Sequence, residues 1–158
     1  MTAAVAVAAV AHSCHTVDDN RVPAAPVNIV FNTVADWDIY GVAGAMDYRR
    51  FIRDRRVPAN YPYTAMTYTG FGGVLLVTDV MGNPRAYDLC CPVECSRNTI
   101  VDIDTEKMQA RCSHCGSTYE VFSLNGTPTS GPAAEYGYGL RNYRVLPGRD
   151  GAYRVVTN

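Results

Sequence analysis

Five of the six cysteines fall in two short runs, "DLCCPVEC" at residues 88–95 and "QARCSHCGST" at residues 109–118. Thiols crowded in this way bridge as disulfides, ligate a metal ion, or hold an inorganic cluster. Cys14 stands apart near the start of the chain. With Cys14 set aside, five thiols remain, and an odd number leaves a remainder when disulfides close. A four-ligand metal site with one spare thiol accounts for five. The pairs Cys91-x-x-x-Cys95 and Cys112-x-x-Cys115 are each spaced to chelate, and the stretch between them is predicted to hold a hairpin. That layout folds two loops toward one point, as a tetrahedral thiolate site requires. The competing reading is a disulfide between the same loops, Cys91–Cys112 or Cys95–Cys115, which an oxidising compartment would preserve.

The elements that must position these loops read as strands. Eleven tyrosines, thirteen glycines and nine prolines tilt the composition toward strands and turns. "VNIVFNTV" at 27–34 is a short β-branched and aromatic run, and "MTYTGFGGVLLVTDV" at 66–80 reads as a strand pair or one strand bent at its glycines. "MGNP" at 81–84 is a turn before the returning strand "RAYDL". "TIVDID" and "KMQAR" should pair across a turn at Asp104–Glu106. Asn125-Gly126 and Asp150-Gly151 mark two further hairpins. Residues 35–56 are mixed: Ile39, Val42, Met46 and Phe51 are spaced loosely as on a helix that Gly41 and Gly44 interrupt. The expected fold is an antiparallel all-β domain with its cysteines on two loops.

The start, "MTAAVAVAAVAHSC", carries an apolar run and then small residues before Cys14, the pattern of an export signal over residues 1–13. "AHSC" resembles a bacterial lipobox, whose cysteine is lipidated and anchors the mature protein in the membrane. No Lys or Arg precedes the run, so the start is read as truncated or the stretch as a buried or interfacial helix. Residues 14–26, with "TVDDN" and "NRVPAAP", are expected to form a flexible tether to a single domain at 27–158. No stretch reaches the roughly 18 apolar residues of a membrane span. The formal charge of −1 offers no electrostatic reason for a nucleic-acid partner. Arg49, Arg50, Arg53, Arg55 and Arg56 form the one basic cluster. No phosphate-binding glycine loop, nucleophile elbow or well-placed Cys–His pair is evident, so no other motif competes with the cysteines.

Longer motifs sharpen the metal reading. "AYDLCCP" resembles the approach to the first cluster loop of Rieske proteins, and Cys112-x-x-Cys115-Gly116-Ser117 stands where they carry Cys-x-x-His-Gly-Ser. Ser130-Gly131-Pro132-Ala133 is similar to the loop that covers the cluster, and "LRNYRV" to the closing strand. The resemblance spans residues 66–158 and points to the Rieske-like lipoproteins of the bacterial cell envelope.

The resemblance implies an antiparallel Rieske-like sandwich with a small two-loop subdomain holding a [2Fe-2S] cluster. Cys91 and Cys112 match its two cysteine ligands, Cys115 replaces one histidine, and Val93 stands at the position of the other. Cys95 becomes the fourth ligand, with Cys90 or His114 as alternatives. Gly116, Ser117 and Pro132 would surround the cluster. Thiolates in place of neutral imidazoles add negative charge, which lowers the potential toward that of plant-type ferredoxins, about −400 mV. The same cysteines could hold zinc, closed and redox-silent. The functional expectation is one-electron transfer to an unidentified redox protein, by a lipid-anchored domain in the periplasm or at the cell surface. The alternative is a non-redox envelope lipoprotein whose cysteines hold structural zinc or disulfides.

Overall fold

Runs of Val, Ile, Leu and Tyr bounded by Gly-, Pro- and Asn-bearing turns settle into strands, and two antiparallel sheets dominate the computed structural model, which describes residues 16–158. The strands are β1 (Val27–Phe31), β2 (Tyr48–Phe51), β3 (Tyr68–Thr69), β4 (Val74–Thr78), β5 (Pro84–Asp88) and β6 (Val101–Asp104). They continue with β7 (Gln109–Cys112), β8 (Thr118–Glu120), β9 (Thr127–Ser130), β10 (Asn142–Pro147) and β11 (Tyr153–Val156). Helices α1 (Val34–Tyr40) and α2 (Pro132–Tyr136) are short. The fold is all-β.

The larger sheet has the order β2-β4-β5-β10-β11-β1-β3, and the smaller the order β6-β7-β8-β9. The smaller sheet is inserted in the chain between β5 and β10. Those two strands pair directly, Asn142 opposite Tyr87 and Tyr143 opposite Ala86. The sequence "VLLVT" of β4 is apolar without alternation because both of its faces are covered. Leu75 and Val77 join the core shared with the inserted unit, whereas Val74 and Leu76 join a second core with Ile29, Phe31 and Phe51. Strand β1 instead alternates buried and half-buried residues, as expected where one face is thinly covered.

The glycine-rich run between β3 and β4 does more than bend one strand: β3 pairs with β1, and β4 with β2 and β5. The loose helical spacing across residues 39–51 resolves into a helix and a strand. Thr33 and Asp36 form a capping box that starts α1. The helix ends where Gly41 packs against Trp37, with no room for a Cβ, which would lie 2.6 Å from the ring. Ile39 is exposed on α1, while Phe51 is buried at the end of β2.

Residues 18–22, within the stretch read as tether, are pinned to the body. The Asp18 N–H donates to the Gly137 carbonyl and the Gly139 N–H to the Asp18 carbonyl, the Arg141 guanidinium donates to the carbonyls of Asn20 and Val22, and the Val22 side chain is buried. The export signal at residues 1–13 and the lipidation site at Cys14 lie outside the described residues. Among the described residues, no helix is long and apolar enough to cross a membrane.

Candidate metal centre

Hairpin pairing brings the two cysteine loops together. The β6–β7 register sets Val101 opposite Cys112, so the loop entering β6 and the loop leaving β7 emerge at the same end of the small sheet. The first loop, residues 89–100, is closed by the Cys90–Ile100 bridge and by the Cys91 N–H donating to Thr99 at 3.0 Å. The second, residues 112–118, turns tightly: the Gly116 N–H donates to the Cys112 carbonyl at 3.0 Å, and Gly116 has φ +76°, open to glycine at little cost.

Three sulfur atoms converge there. The thiols of Cys91, Cys112 and Cys115 all lie within 4.8 Å of one another, and those of Cys91 and Cys115 are 3.6 Å apart. Cys91 and Cys112 are buried, and Cys115 is half-buried at the outer side. A tetrahedral ion with metal–sulfur bonds near 2.3 Å spaces its sulfur ligands by about 3.8 Å. Three donors are therefore placed to bind a metal ion together.

Two hydroxyls point at this group. The Tyr119 hydroxyl lies 3.5 Å from Cys91 Sγ, and the Ser117 hydroxyl 3.2 Å from Cys115 Sγ. Ser117 Oγ also accepts the Ala133 N–H at 3.0 Å, so α2, which follows Gly131, orients the hydroxyl that faces the sulfur. Tyr119 is the residue that sequence reasoning missed. Its signal is the alternation along β8, which places Ser117 and Tyr119 on one side.

Charge is distributed unevenly over the thiols. Burial pushes the Cys91 thiol up to about 12, despite the Tyr119 hydroxyl and the backbone N–H groups of Glu94 and Val93. Burial acts in the same sense on Cys115, but the Ser117 hydroxyl and N–H, with the Cys91 and Cys112 thiols, outweigh it and hold Cys115 below the ordinary thiol value. Of these two thiols Cys115 is the readier to become a thiolate, and Cys91 would have to release its proton to ligate a metal.

The remaining candidates lie differently. The Cys95 thiol donates to the Pro92 carbonyl at 3.1 Å and the Arg21 carbonyl at 3.6 Å, from a left-handed backbone with φ +48°. The Cys90 thiol faces the carbonyls of Ser96 and Cys91, and burial pushes it up to about 12. His114 points outward, with Nδ1 2.9 Å from Glu94 Oε1, and so joins the tips of the two loops. Pro132 opens α2 beside Gly131, whose Cβ, were there one, would press the Ser117 backbone at 2.9 Å. In comparisons with known proteins, no family, no curated protein and no solved structure matches this chain.

Proposed function

We propose that this chain is a Rieske-like iron–sulfur protein that transfers single electrons at the bacterial cell envelope, anchored to the membrane through lipid on Cys14. The observation that carries the reading is the convergence of Cys91, Cys112 and Cys115 from two loops at one end of an inserted four-stranded sheet. It is supported by the residue-by-residue likeness around Cys112-x-x-Cys115-Gly116-Ser117 and by hydroxyls aimed at two of the sulfurs. Hydrogen bonds to sulfur and exclusion of water are the levers by which a protein sets the potential of such a centre. The donors present fit a thiolate-held [2Fe-2S] centre in kind, and three of its four protein ligands are gathered. Cys95 is the fourth, provided its thiol leaves the carbonyls of Pro92 and Arg21. Such a centre supplies reversible uptake of one electron. In this reading the redox partner is a second protein.

A second reading is favoured by the sulfur spacing itself. Sulfurs all within 4.8 Å of one another, with Cys91 and Cys115 3.6 Å apart, suit one tetrahedral ion, so a single zinc could pin the two loops in a redox-silent module. Metal and sulfide analysis of the full chain, purified without oxygen, separates the two. Iron with acid-labile sulfide and a paramagnetic reduced state supports the electron carrier. A colourless protein with one zinc per chain removes it. Cys112→Ser should abolish either centre, and undiminished metal content in that variant would show that the ligands are misassigned.

A further inference from the structure

Three arginines, two from the single 3₁₀ turn Arg53–Arg55 and one from the first cysteine loop, surround two adjoining clefts beside that loop. One cleft, of about 210 Å³, is lined in part by Arg53, Tyr68 and Arg97. The other, of about 150 Å³, is lined in part by Arg55, Phe71 and Arg97. Thr69, Gly70 and Asp54 border both. Each guanidinium is held by an uncharged group: Arg53 donates to the Thr67 carbonyl at 3.1 Å, Arg55 to the Asn98 amide oxygen at 3.4 Å, and Arg97 sits 4.5 Å from the centre of the Phe71 ring. Among the described residues, the arginine–carboxylate ion pairs belong to Arg49, Arg50 and Arg85. Residues 1–15 contain no Asp or Glu. The clefts therefore present three preset cations against one lining carboxylate, Asp54, with two aromatic rings among them. Arginine and aromatic side chains are the types enriched where proteins meet.

The clefts are also tied to the metal loop. Gly72, in the wall of the smaller cleft, lies so close to the next residue layer that a Cβ would meet the Cys90 nitrogen at 2.6 Å. The Asp88 carboxylate accepts from the N–H groups of Phe71, Gly72 and Cys90, at 2.7, 2.9 and 2.7 Å. Only backbone therefore separates the cleft wall from the residue preceding Cys91. Arg97 and Asn98 themselves belong to the loop that carries Cys91.

We propose that these two clefts dock an acidic surface of the protein that exchanges electrons with the centre, an inference that rests on the electron-transfer reading above. Charge complementarity brings the partner to the face behind Cys91, and the tight Gly72–Cys90 packing gives a short covalent and van der Waals route to it.

A fluorescently labelled hexaglutamate peptide, titrated into the full chain and followed by anisotropy, tests the site. Saturable binding at low ionic strength that weakens with added salt is expected. The double variant Arg55→Glu/Arg97→Glu should lose about tenfold or more in affinity, whereas Arg144→Glu/Arg149→Glu, with the same change in net charge but outside the clefts, should lose about twofold at most. Equal losses in the two pairs, or no saturable binding at low salt, would overturn the proposal. Unfolding temperatures guard against a misfolded variant, and Arg55→Gln/Arg97→Gln repeats the test without adding negative charge. Zinc in place of iron in the same preparations, with binding still mapped to the clefts, would refute the electron-exchanging partner separately from the docking surface.

Discussion

Replacing Asp88 by Asn tests how the metal loop is joined to the scaffold, because the shape is kept while one acceptor oxygen becomes a donor. In the native protein Oδ2 accepts from the Phe71 N–H at 2.7 Å and the Tyr143 hydroxyl at 2.5 Å. Oδ1 accepts from the N–H groups of Gly72 and Cys90. With the Asn oxygen at the Oδ1 position, the latter two bonds persist, and the Tyr143 hydroxyl can turn to accept from the new amide. The Phe71 N–H is left facing another donor. One unmet N–H in such a site costs about 1–3 kcal/mol. A loss of about 2 kcal/mol lowers Tm by about 4–8 °C in a domain of this size. The pH dependence has a definite sign. Burial raises the Asp88 carboxyl above its ordinary value, against four hydrogen bonds that pull it down. A group raised on folding contributes in full below its unfolded pKa, about 3.9, and that contribution is lost as pH rises through the folded value. Asn does not titrate, so the deficit of Asp88→Asn should be greatest near pH 4 and shrink toward neutrality. Denaturant unfolding of both proteins across that range reads the difference. A deficit that grows with pH would refute the reasoning, and would mean that the four donors hold the carboxylate ionised.

Other variants isolate other links. If the proposed cluster is bound, Tyr119→Phe removes a hydroxyl from Cys91 Sγ and favours the electron-rich state less; losing about 1 kcal/mol of bonding would lower its one-electron potential by about 40 mV, as protein-film voltammetry would measure. An unmoved potential would show that the 3.5 Å contact carries no weight. Gly131→Ala forces a Cβ to 2.9 Å from Ser117 at φ +73°. It should destabilise the protein by about 2 kcal/mol or more and weaken metal retention through Ser117, both of which Tm and metal content report. Phe31→Ala empties a fully buried position touched by Trp37, Phe51 and Tyr61. It should cost about 3–5 kcal/mol while leaving metal content per folded chain unchanged, because this aromatic core is separate from the one that includes Cys91 and Cys112.

The strands were readable wherever short-range chemistry governs them. The turn at Asp104–Glu106 joins β6 to β7, and Asp150 and Gly151 both take left-handed angles between β10 and β11. Asn125 and Gly126 also adopt positive φ, yet they close a wider loop, since β8 ends at Glu120 and β9 begins at Thr127. Dipeptide propensity identifies a turn; it does not measure how far the strands have already parted. Residues 35–56 were opaque because a seven-residue helix and a four-residue strand share one apolar rhythm. At the site, Cys91, Cys112 and Cys115 were legible from spacing and are brought together. The orientation of Cys95 was not, because it depends on a left-handed backbone and on the Arg21 carbonyl, 74 residues away. The docking of residues 18–22 was hidden for the same reason: its partners, Gly139 and Arg141, lie far along the chain.

The direct pairing of β5 with β10 means that everything from Leu89 to Arg141 leaves and re-enters the scaffold at neighbouring points. In architectural terms the cysteine-bearing unit is a cassette, and a different pair of loops could be spliced onto the same two strand ends without redrawing the seven-stranded frame. The exchange has one condition. Leu75, Val77 and Tyr87 face the cassette, so any replacement must bring its own oily underside, or the frame is left with a wet and sticky wall.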